Sequence, residues 1–159
     1  MIKEIVQFFL SGKKYAVELQ SMQGIENYSP MTNVMDSGAK MQGVVTIRGE
    51  LIPVINIGVC LSIQPSPVTQ NTKYVLLRTL YGTMAIVADD VGDISRLSED
   101  EVRECPSIVQ AEGTGYVNFV ARDGKSLVLV INPDNLLTKE EWEGIRSSME
   151  EIGKKNEDE

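Results

Sequence analysis

Along most of the chain, apolar residues occur in short runs that are separated by brief polar turns. Runs of this length that are rich in Val, Ile, Leu and aromatic residues are typical of β-strands, and two runs around a tight turn predict a hairpin. Hairpin turns are predicted at Ser11-Gly12, Arg48-Gly49 and Asp123-Gly124. The predicted strands cover residues 5–10, 15–19, 44–47, 51–57, 73–80, 83–88, 116–121 and 127–131.

Some segments depart from this strand pattern. Residues 20–25 carry Met22 and Ile25 at a spacing of three, which predicts one helical turn. Residues 29–40 hold several turn residues and predict a loop, whereas residues 64–72 combine prolines with polar neighbours and predict a linker.

Pro53 interrupts the predicted strand over residues 51–57. Because proline cannot donate a hydrogen bond to a neighbouring strand, this strand is predicted to lie at a sheet edge or to be bulged at Pro53.

The end of the chain changes to a helical pattern. Thr138 and Glu141 have the spacing of a capping box, which predicts the start of an amphipathic helix over residues 139–152. Gly153 predicts its end. Burial of the tryptophan is expected to anchor the helix to the rest of the chain. The apolar positions of the helix are Trp142, Ile145 and Met149.

The two halves of the chain resemble each other. At one fixed spacing, apolar positions coincide between the halves: residues 15–17 with 84–86, Met22 with Val91, and Ile25 with Ile94. The segment that begins at Gly49 also resembles the one that begins at Gly124, with one inserted residue. Chance alternation is the competing explanation, since few positions match. A true repeat would give about five strands per half, which is the size of a small barrel, with a groove between two such barrels.

Composition and charge exclude several classes of function. The 159 residues carry a net charge of −8, so the phosphate backbone of a nucleic acid would repel the chain, and no nucleic-acid partner is expected. The absence of histidine excludes Ser–His and Cys–His nucleophilic pairs. Cys60 and Cys105 are too few for a zinc site and are expected to be reduced and packed as small apolar groups. No apolar run is long enough for a signal peptide or a membrane span, so direct membrane insertion is not expected.

Two features are candidates for chemistry. Asp89, Asp90 and Asp93 lack the glycine and the terminal glutamate of a calcium loop, so no metal site is expected, and no catalytic residue or cofactor is predicted. Arg48 is either a solvated turn residue or an interface residue whose planar fork pairs with a partner's carboxylate. The corresponding place in the repeat holds Asp123, and this difference favours a partner contact for Arg48.

The segment GVVTIRGELIPVINI, residues 43–57, carries a family resemblance. It is similar to the signature of the CheW-like domain family of chemotaxis coupling (adaptor) proteins, in which a Gly-Val-x-Asn-Leu-Arg-Gly-like stretch precedes an Ile-Pro-Val-x-Asp-Leu-like strand. The resemblance extends over about residues 5–137 and includes the segments YAVELQSMQGIE, AIVADDVGDI and DGKSLVLVINPDNLL. It implies a mainly β fold of two SH3-like five-stranded β-barrels packed together, with a short C-terminal α-helix.

The resemblance also implies an organisation and a function. One CheW-like domain would cover residues 1–137, with partly intertwined barrel halves at about residues 1–63 and 73–137, and residues 138–159 would form a C-terminal helix and a charged tail. The chain would be a non-enzymatic cytoplasmic adaptor, recruited to membrane-associated receptor arrays. It would join the cytoplasmic tip of chemoreceptors to the regulatory domain of the chemotaxis histidine kinase. The residues themselves leave open a small-molecule or peptide-binding double barrel outside chemotaxis, and a carboxylate-dependent enzyme.

The family's receptor-binding groove lies between the barrels. By motif position it would be lined here by Val6, Leu19, Met22, Ile25, Gly43 and Arg48. Ordinary core packing is the competing explanation for Leu19, Met22 and Ile25. Ser21 stands where some relatives carry a Glu that could pair with the arginine, so Arg48 is expected to be free for a partner's carboxylate. The kinase-binding surface is expected at the barrel ends, without assigned residues.

Overall fold

The computed structural model describes residues 3–33, 40–103 and 115–157. Within these ranges the chain forms two β-sheets and two α-helices, α1 (Ile57–Leu61) and α2 (Lys139–Glu157). The strands are β1 (Lys3–Leu10), β2 (Lys13–Glu18), β3 (Met22–Asn27), β4 (Thr32–Asn33), β5 (Met41–Ile47), β6 (Glu50–Ile55), β7 (Lys73–Thr79), β8 (Gly82–Ala88), β9 (Asp90–Leu97), β10 (Val102–Arg103), β11 (Val117–Asp123) and β12 (Ser126–Ile131).

The two sheets have the same internal order. One sheet runs β10-β11-β12-β2-β1-β9, and the other, written in the equivalent direction, runs β4-β5-β6-β8-β7-β3. The central pairs β12–β2 and β6–β8 are parallel, and the remaining pairs are antiparallel. Each sheet therefore has five long strands and one two-residue strand, β10 or β4. The matching orders confirm the repeat that the sequence predicts.

The first hairpin of each repeat pairs with strands of the other repeat. β1 and β2 pair with β9 and β12, which come late in the chain, and β7 and β8 pair with β3 and β6, which come early. Lys3 lies opposite Leu97, and Asn27 lies opposite Lys73. Residues 64–72 connect the repeats without a helix or strand, as their composition predicts.

Three apolar layers fill the fold: the interior of the first barrel, whose sheet contains β1, the interior of the second barrel, whose sheet contains β7, and a shared layer between the two barrels. In β2, Ala16 lies in the interior of the first barrel, whereas Tyr15 and Val17 lie in a shared layer between the barrels. In β8, Ala85 lies in the interior of the second barrel, and its two neighbours lie in the shared layer: Met84 and Ile86. The central residues of these strands, 15–17 and 84–86, are buried on both faces, and this explains why they are continuously apolar instead of alternating.

The spacing of three between Met22 and Ile25 comes from a β-bulge. A single 3-10 turn, Leu19–Ser21, is followed at once by β3, so the predicted helical turn is wrong from Met22 onward. Met22 lies opposite Leu77 and Ile25 lies opposite Val75, so β3 has one residue more than β7 over this interval. The extra residue places Met22 and Ile25 on the same face of the sheet.

Pro53 lies inside a sheet, so the prediction of an edge strand is wrong. β6 is flanked by β5 and β8. Pro53 lies opposite Val44, and the register shift in this pair falls elsewhere, between Met41 and Gly43. β6 pairs with β8 only at Val54 and Ala85, whereas the equivalent strands β12 and β2 pair at three positions, so the sheet is short of pairing beside Pro53, which has no N–H to donate.

Helix α2 packs on the shared layer through its predicted apolar stripe. Trp142 is 3% exposed, and its ring centroid lies 6.1 Å from that of Tyr81. The predicted anchoring role of this residue is confirmed. The helix continues past Gly153 to Glu157, so the predicted stop is wrong. One glycine costs a helix only about 1 kcal/mol, which is not enough to end it here.

A capping box and an ion pair fix the start of α2. The Glu141 backbone N–H donates to Thr138 Oγ1 (3.1 Å), and the Thr138 N–H donates to Glu141 Oε1 (2.8 Å). Lys40 Nζ lies 3.0 Å from the same carboxylate oxygen. Burial favours a raised pKa for Glu141, but the hydrogen bonds from Thr138 and Lys40 outweigh it and hold this pKa below its ordinary value.

Some predicted features fall outside the described ranges. These are residues 34–39 of the predicted loop, and Cys105. Cys60 is a partly exposed free thiol on α1. Burial raises its pKa, although nearby Lys40 opposes the shift.

Candidate functional site

Arg48 and Gly49 form the two-residue turn between β5 and β6. Both have positive φ, +54° and +79°, and the strands close on Ile47 opposite Glu50. This is the geometry of a type I′ hairpin. Glycine adopts it freely, whereas a left-handed conformation costs another residue about 1 kcal/mol. The turn holds the Arg48 side chain at the hairpin tip, where it is 87% exposed.

Arg48 has a partner within the chain. Its Nη2 lies 3.1 Å from Glu26 Oε1, so the expectation of an unpaired arginine, drawn from Ser21, is wrong. Glu26 lies on β3, at the opposite end of the sheet order from β4 and β5. The ion pair therefore joins two ends of a sheet that is rolled into a barrel. Exposed ion pairs contribute about 0–1 kcal/mol, so this one orients the guanidinium more than it stabilises the fold.

Gly43 is a close-packing position. A Cβ added there would lie 2.6 Å from the Thr32 carbonyl oxygen and 2.9 Å from side-chain atoms of Met31. Gly43 pairs with Asn33 on one side and with Val54 on the other. It therefore lets β4 approach β5 and contributes no side chain to a binding surface.

The other four predicted groove residues differ in exposure. Val6 is buried at 2% exposure, and Leu19 and Met22 are half-buried. Met22 packs against the shared layer. Ile25 is 40% exposed. Of these four, Ile25 alone presents a large apolar surface to a partner.

Ile94 is a second exposed position that motif matching did not supply. It is 55% exposed and lies opposite Val6, just as Ile25 lies opposite Val75. Opposite residues of neighbouring antiparallel strands share a face of the sheet. Val75 belongs to the shared layer, and Val6 alternates with Ile5 of the barrel interior. Ile25 and Ile94 therefore lie on the sheet faces that turn toward the other barrel. The sequence repeat already matches these two positions and is the signal that could have identified Ile94.

The described ranges contain no group of three or more His, Cys, Asp or Glu side chains that could hold a metal ion. Within the same ranges, no helix combines the length and apolar character that crossing a membrane requires. The site consists of exposed apolar positions on two edge strands, β3 and β9, with the Arg48–Glu26 pair beside one of them.

Comparison with known families identifies the family to which this chain belongs. The model of the CheW-like domain matches residues 4–141. The chain belongs to the CheW-like domain family. Most of α2 follows residue 141 and so lies beyond this CheW-like match.

Individual relatives cover a similar share of the chain. The chemotaxis protein CheW of Klebsiella aerogenes is 24% identical over 139 residues, which cover 87% of this chain and 84% of the relative. The chemotaxis protein CheW of Bacillus subtilis is 22% identical over 138 residues, which cover 87% and 88%.

A solved structure shares the fold. The scaffolding protein TtCheW from Thermoanaerobacter tengcongensis superposes with a TM-score of 0.78 at 19% identity, covering 87% of this chain and 89% of that one. The fold expected for a CheW-like chain is therefore confirmed. It is mainly β, with two packed SH3-like barrels and a C-terminal helix.

Proposed function

We propose that this chain is a non-enzymatic adaptor that couples chemoreceptors to the chemotaxis histidine kinase through protein–protein binding. Membership of the CheW-like family supports this role, as do the names of its relatives, which are chemotaxis proteins and a scaffolding protein. The observation that carries the proposal is the pair of exposed isoleucines, Ile25 and Ile94, at equivalent places on two edge strands.

The receptor contact would be apolar at these two positions. A helical receptor tip can lay its apolar stripe along a groove between the barrels. Val6 and Val75 supply a buried base beside the isoleucines. Covering one half-exposed isoleucine contributes about 1–2 kcal/mol, so two such contacts give modest binding that many copies in an array would reinforce.

Arg48 would add a directional hydrogen-bonded ion pair to this apolar contact. Glu26 follows Ile25 on the edge strand β3, so their side chains leave opposite faces of the strand, and the ion pair places the Arg48 guanidinium at the β3 edge, across the strand from Ile25. Glu26 contacts one of its nitrogens, and the side chain remains 87% exposed. A partner's carboxylate can therefore pair with the remaining donors of the guanidinium fork.

The kinase regulatory domain would bind at the barrel ends, at residues not yet assigned. In this proposal the adaptor works in the cytoplasm and is recruited to membrane-associated receptor arrays through its two partners.

A charge exchange tests the role of Arg48. Arg48→Glu should leave the denaturation midpoint nearly unchanged and weaken binding to a purified receptor tip by about tenfold, since a charge-assisted hydrogen bond contributes about 1.5 kcal/mol or more. Combining Arg48→Glu with Glu26→Arg restores the intramolecular pair with reversed charges. If Arg48 contacts the partner, the double variant stays weak, as measured by calorimetry against the receptor tip and against the kinase regulatory domain.

Arg122→Glu is the matched control, because Arg122 is an exposed arginine close to the equivalent hairpin tip. Full recovery of binding in the double variant would show that the pair matters only within the chain. Ile94→Ser in the same measurements tests the apolar part, and unchanged receptor binding would remove Ile94 from the site. If the native chain binds neither the receptor tip nor the regulatory domain, the proposed function itself is wrong.

A double barrel that binds a small molecule or peptide outside chemotaxis is the alternative function. A purified chain that ignores the regulatory domain but retains a cellular ligand would favour this alternative.

A further inference from the structure

A cavity of about 250 Å³ lies between the barrels, on the side where residues 64–72 connect the repeats. Its apolar wall comes from β1, the start of α1, the segment after α1 and β8, through Leu10, Ile57, Ile63 and Val87. The connecting segment contributes Gln64, Pro65, Ser66 and Val68 to the lining, so it covers part of the cavity.

Ser11 holds this cover in place. It occupies the first position of the β1–β2 turn with φ +49°, followed by Gly12 at φ +80°. The Ser11 hydroxyl donates to the Gln64 carbonyl oxygen (2.5 Å) and lies 3.0 Å from the Ser66 hydroxyl. At the other end of the segment, the Tyr28 backbone N–H donates to the Thr72 carbonyl oxygen (3.4 Å), and Thr72 is 3% exposed. The cavity is therefore bounded by a connecting segment that hydrogen bonds fix at both ends.

Asp89 is the one charged residue in the described lining. One of its carboxylate oxygens, Oδ2, accepts a hydrogen bond from the Ser11 backbone N–H at 2.7 Å. No lysine or arginine lines the cavity within the described part of the chain, so the lining supplies a negative charge without a matching cation. A carboxylate that is half-buried beside an apolar wall favours a cationic group.

We infer that this cavity binds a small organic cation, namely a primary amine on an apolar body. The amine donates to the Asp89 carboxylate, and the apolar body lies against Ile57, Ile63 and Val87. Benzene fills an apolar cavity of about 150 Å³, so by proportion a ligand here has about ten non-hydrogen atoms. This binding is separate from the contact proposed for the receptor, because Asp89 and the apolar wall take no part in it.

Titration of the full chain with 2-phenylethylamine tests the inference, and 2-phenylethanol serves as the uncharged probe of the same shape. At neutral pH the native chain should bind the amine with a millimolar dissociation constant and the alcohol about tenfold more weakly. Amide shifts in NMR spectra should concentrate at Ser11, at Ile57–Ile63 and around Asp89. Asp89→Asn should reduce amine affinity to that of the alcohol.

Asp90→Asn is the matched control, since it removes the same charge from the next residue, which does not line the cavity. It should leave amine binding unchanged. Val68→Trp places a large side chain in the lining from an exposed position and should abolish binding of both probes, even if Asp89→Asn fails to fold. Equal affinity for the two probes, equal losses in the two aspartate variants, or NMR shifts located elsewhere would each overturn the inference. So would the absence of amine binding by the native chain.

Discussion

Gly43 allows the close approach of β4 to β5, and replacing it with alanine tests how tightly this contact is packed. The new Cβ would lie 2.6 Å from the Thr32 carbonyl oxygen, below the 3.0 Å that real Cβ contacts almost never undercut. Met31 can adjust because its side chain is flexible, but the Thr32 oxygen belongs to the backbone. Relieving this clash requires a backbone shift, and overpacking of this kind costs about 1–3 kcal/mol.

Gly24→Ala is the matched control. Its added Cβ would meet Leu76 at 3.8 Å, an ordinary contact, so this variant should be neutral or more stable by up to about 1 kcal/mol through reduced freedom of the unfolded chain. Urea denaturation measures the difference in the free energy of unfolding between the two variants. In thermal unfolding, each kcal/mol lost should lower the melting temperature of Gly43→Ala by about 2–4 °C. Equal midpoints for the two variants would refute the close-approach account of Gly43.

Two further predictions concern α2. Trp142→Ala should lower the free energy of unfolding by about 3–5 kcal/mol and reduce the helical signal in circular dichroism, because Trp142 is 3% exposed in the shared layer. Trp142→Phe should cost clearly less, and a loss below about 1 kcal/mol for the alanine variant would contradict the anchoring role. Glu141→Gln keeps the capping geometry but loses the charge, so it should cost up to about 1 kcal/mol at neutral pH. Because the folded pKa of Glu141 lies below its ordinary value of 4.5, the carboxylate stabilises the fold above that pH, and this contribution is lost as the pH falls through the folded pKa. Denaturation curves of the native chain and of the Glu141→Gln variant should therefore converge in acid, and a constant gap would contradict the pKa assignment.

Local features of the fold could be predicted from the sequence because local chemistry determines them. Gly49 indicates a turn since it adopts a positive φ without strain, and the Thr138–Glu141 spacing marks a helix start through reciprocal hydrogen bonds. The C-terminal end of the same helix could not be predicted, because Gly153 carries only a weak preference that the neighbouring residues override.

Pairing between distant residues could not be predicted in the same way. A spacing of three at Met22 and Ile25 fits both a helix and a bulged strand, and only pairing with β7 distinguishes the two. The partner of Arg48 was missed because motif matching pointed to position 21, whereas the barrel brings Glu26 to the arginine. Ile94 required the repeat and the exposure of its side chain to be considered together.

The exchange of first hairpins between the repeats has a consequence for synthesis on the ribosome. β1 and β2 emerge first, yet β9 and β12, their partners in the other repeat, are among the later strands to appear. Neither barrel can close from the first repeat alone, since β6 of that repeat pairs with β8 of the second. The apolar hairpin of β1 and β2 must therefore remain without its partner strands until the second repeat has been translated. Pairing of residues so far apart in sequence slows folding. Separation of the repeats into two genes would leave each product without the strands that complete it.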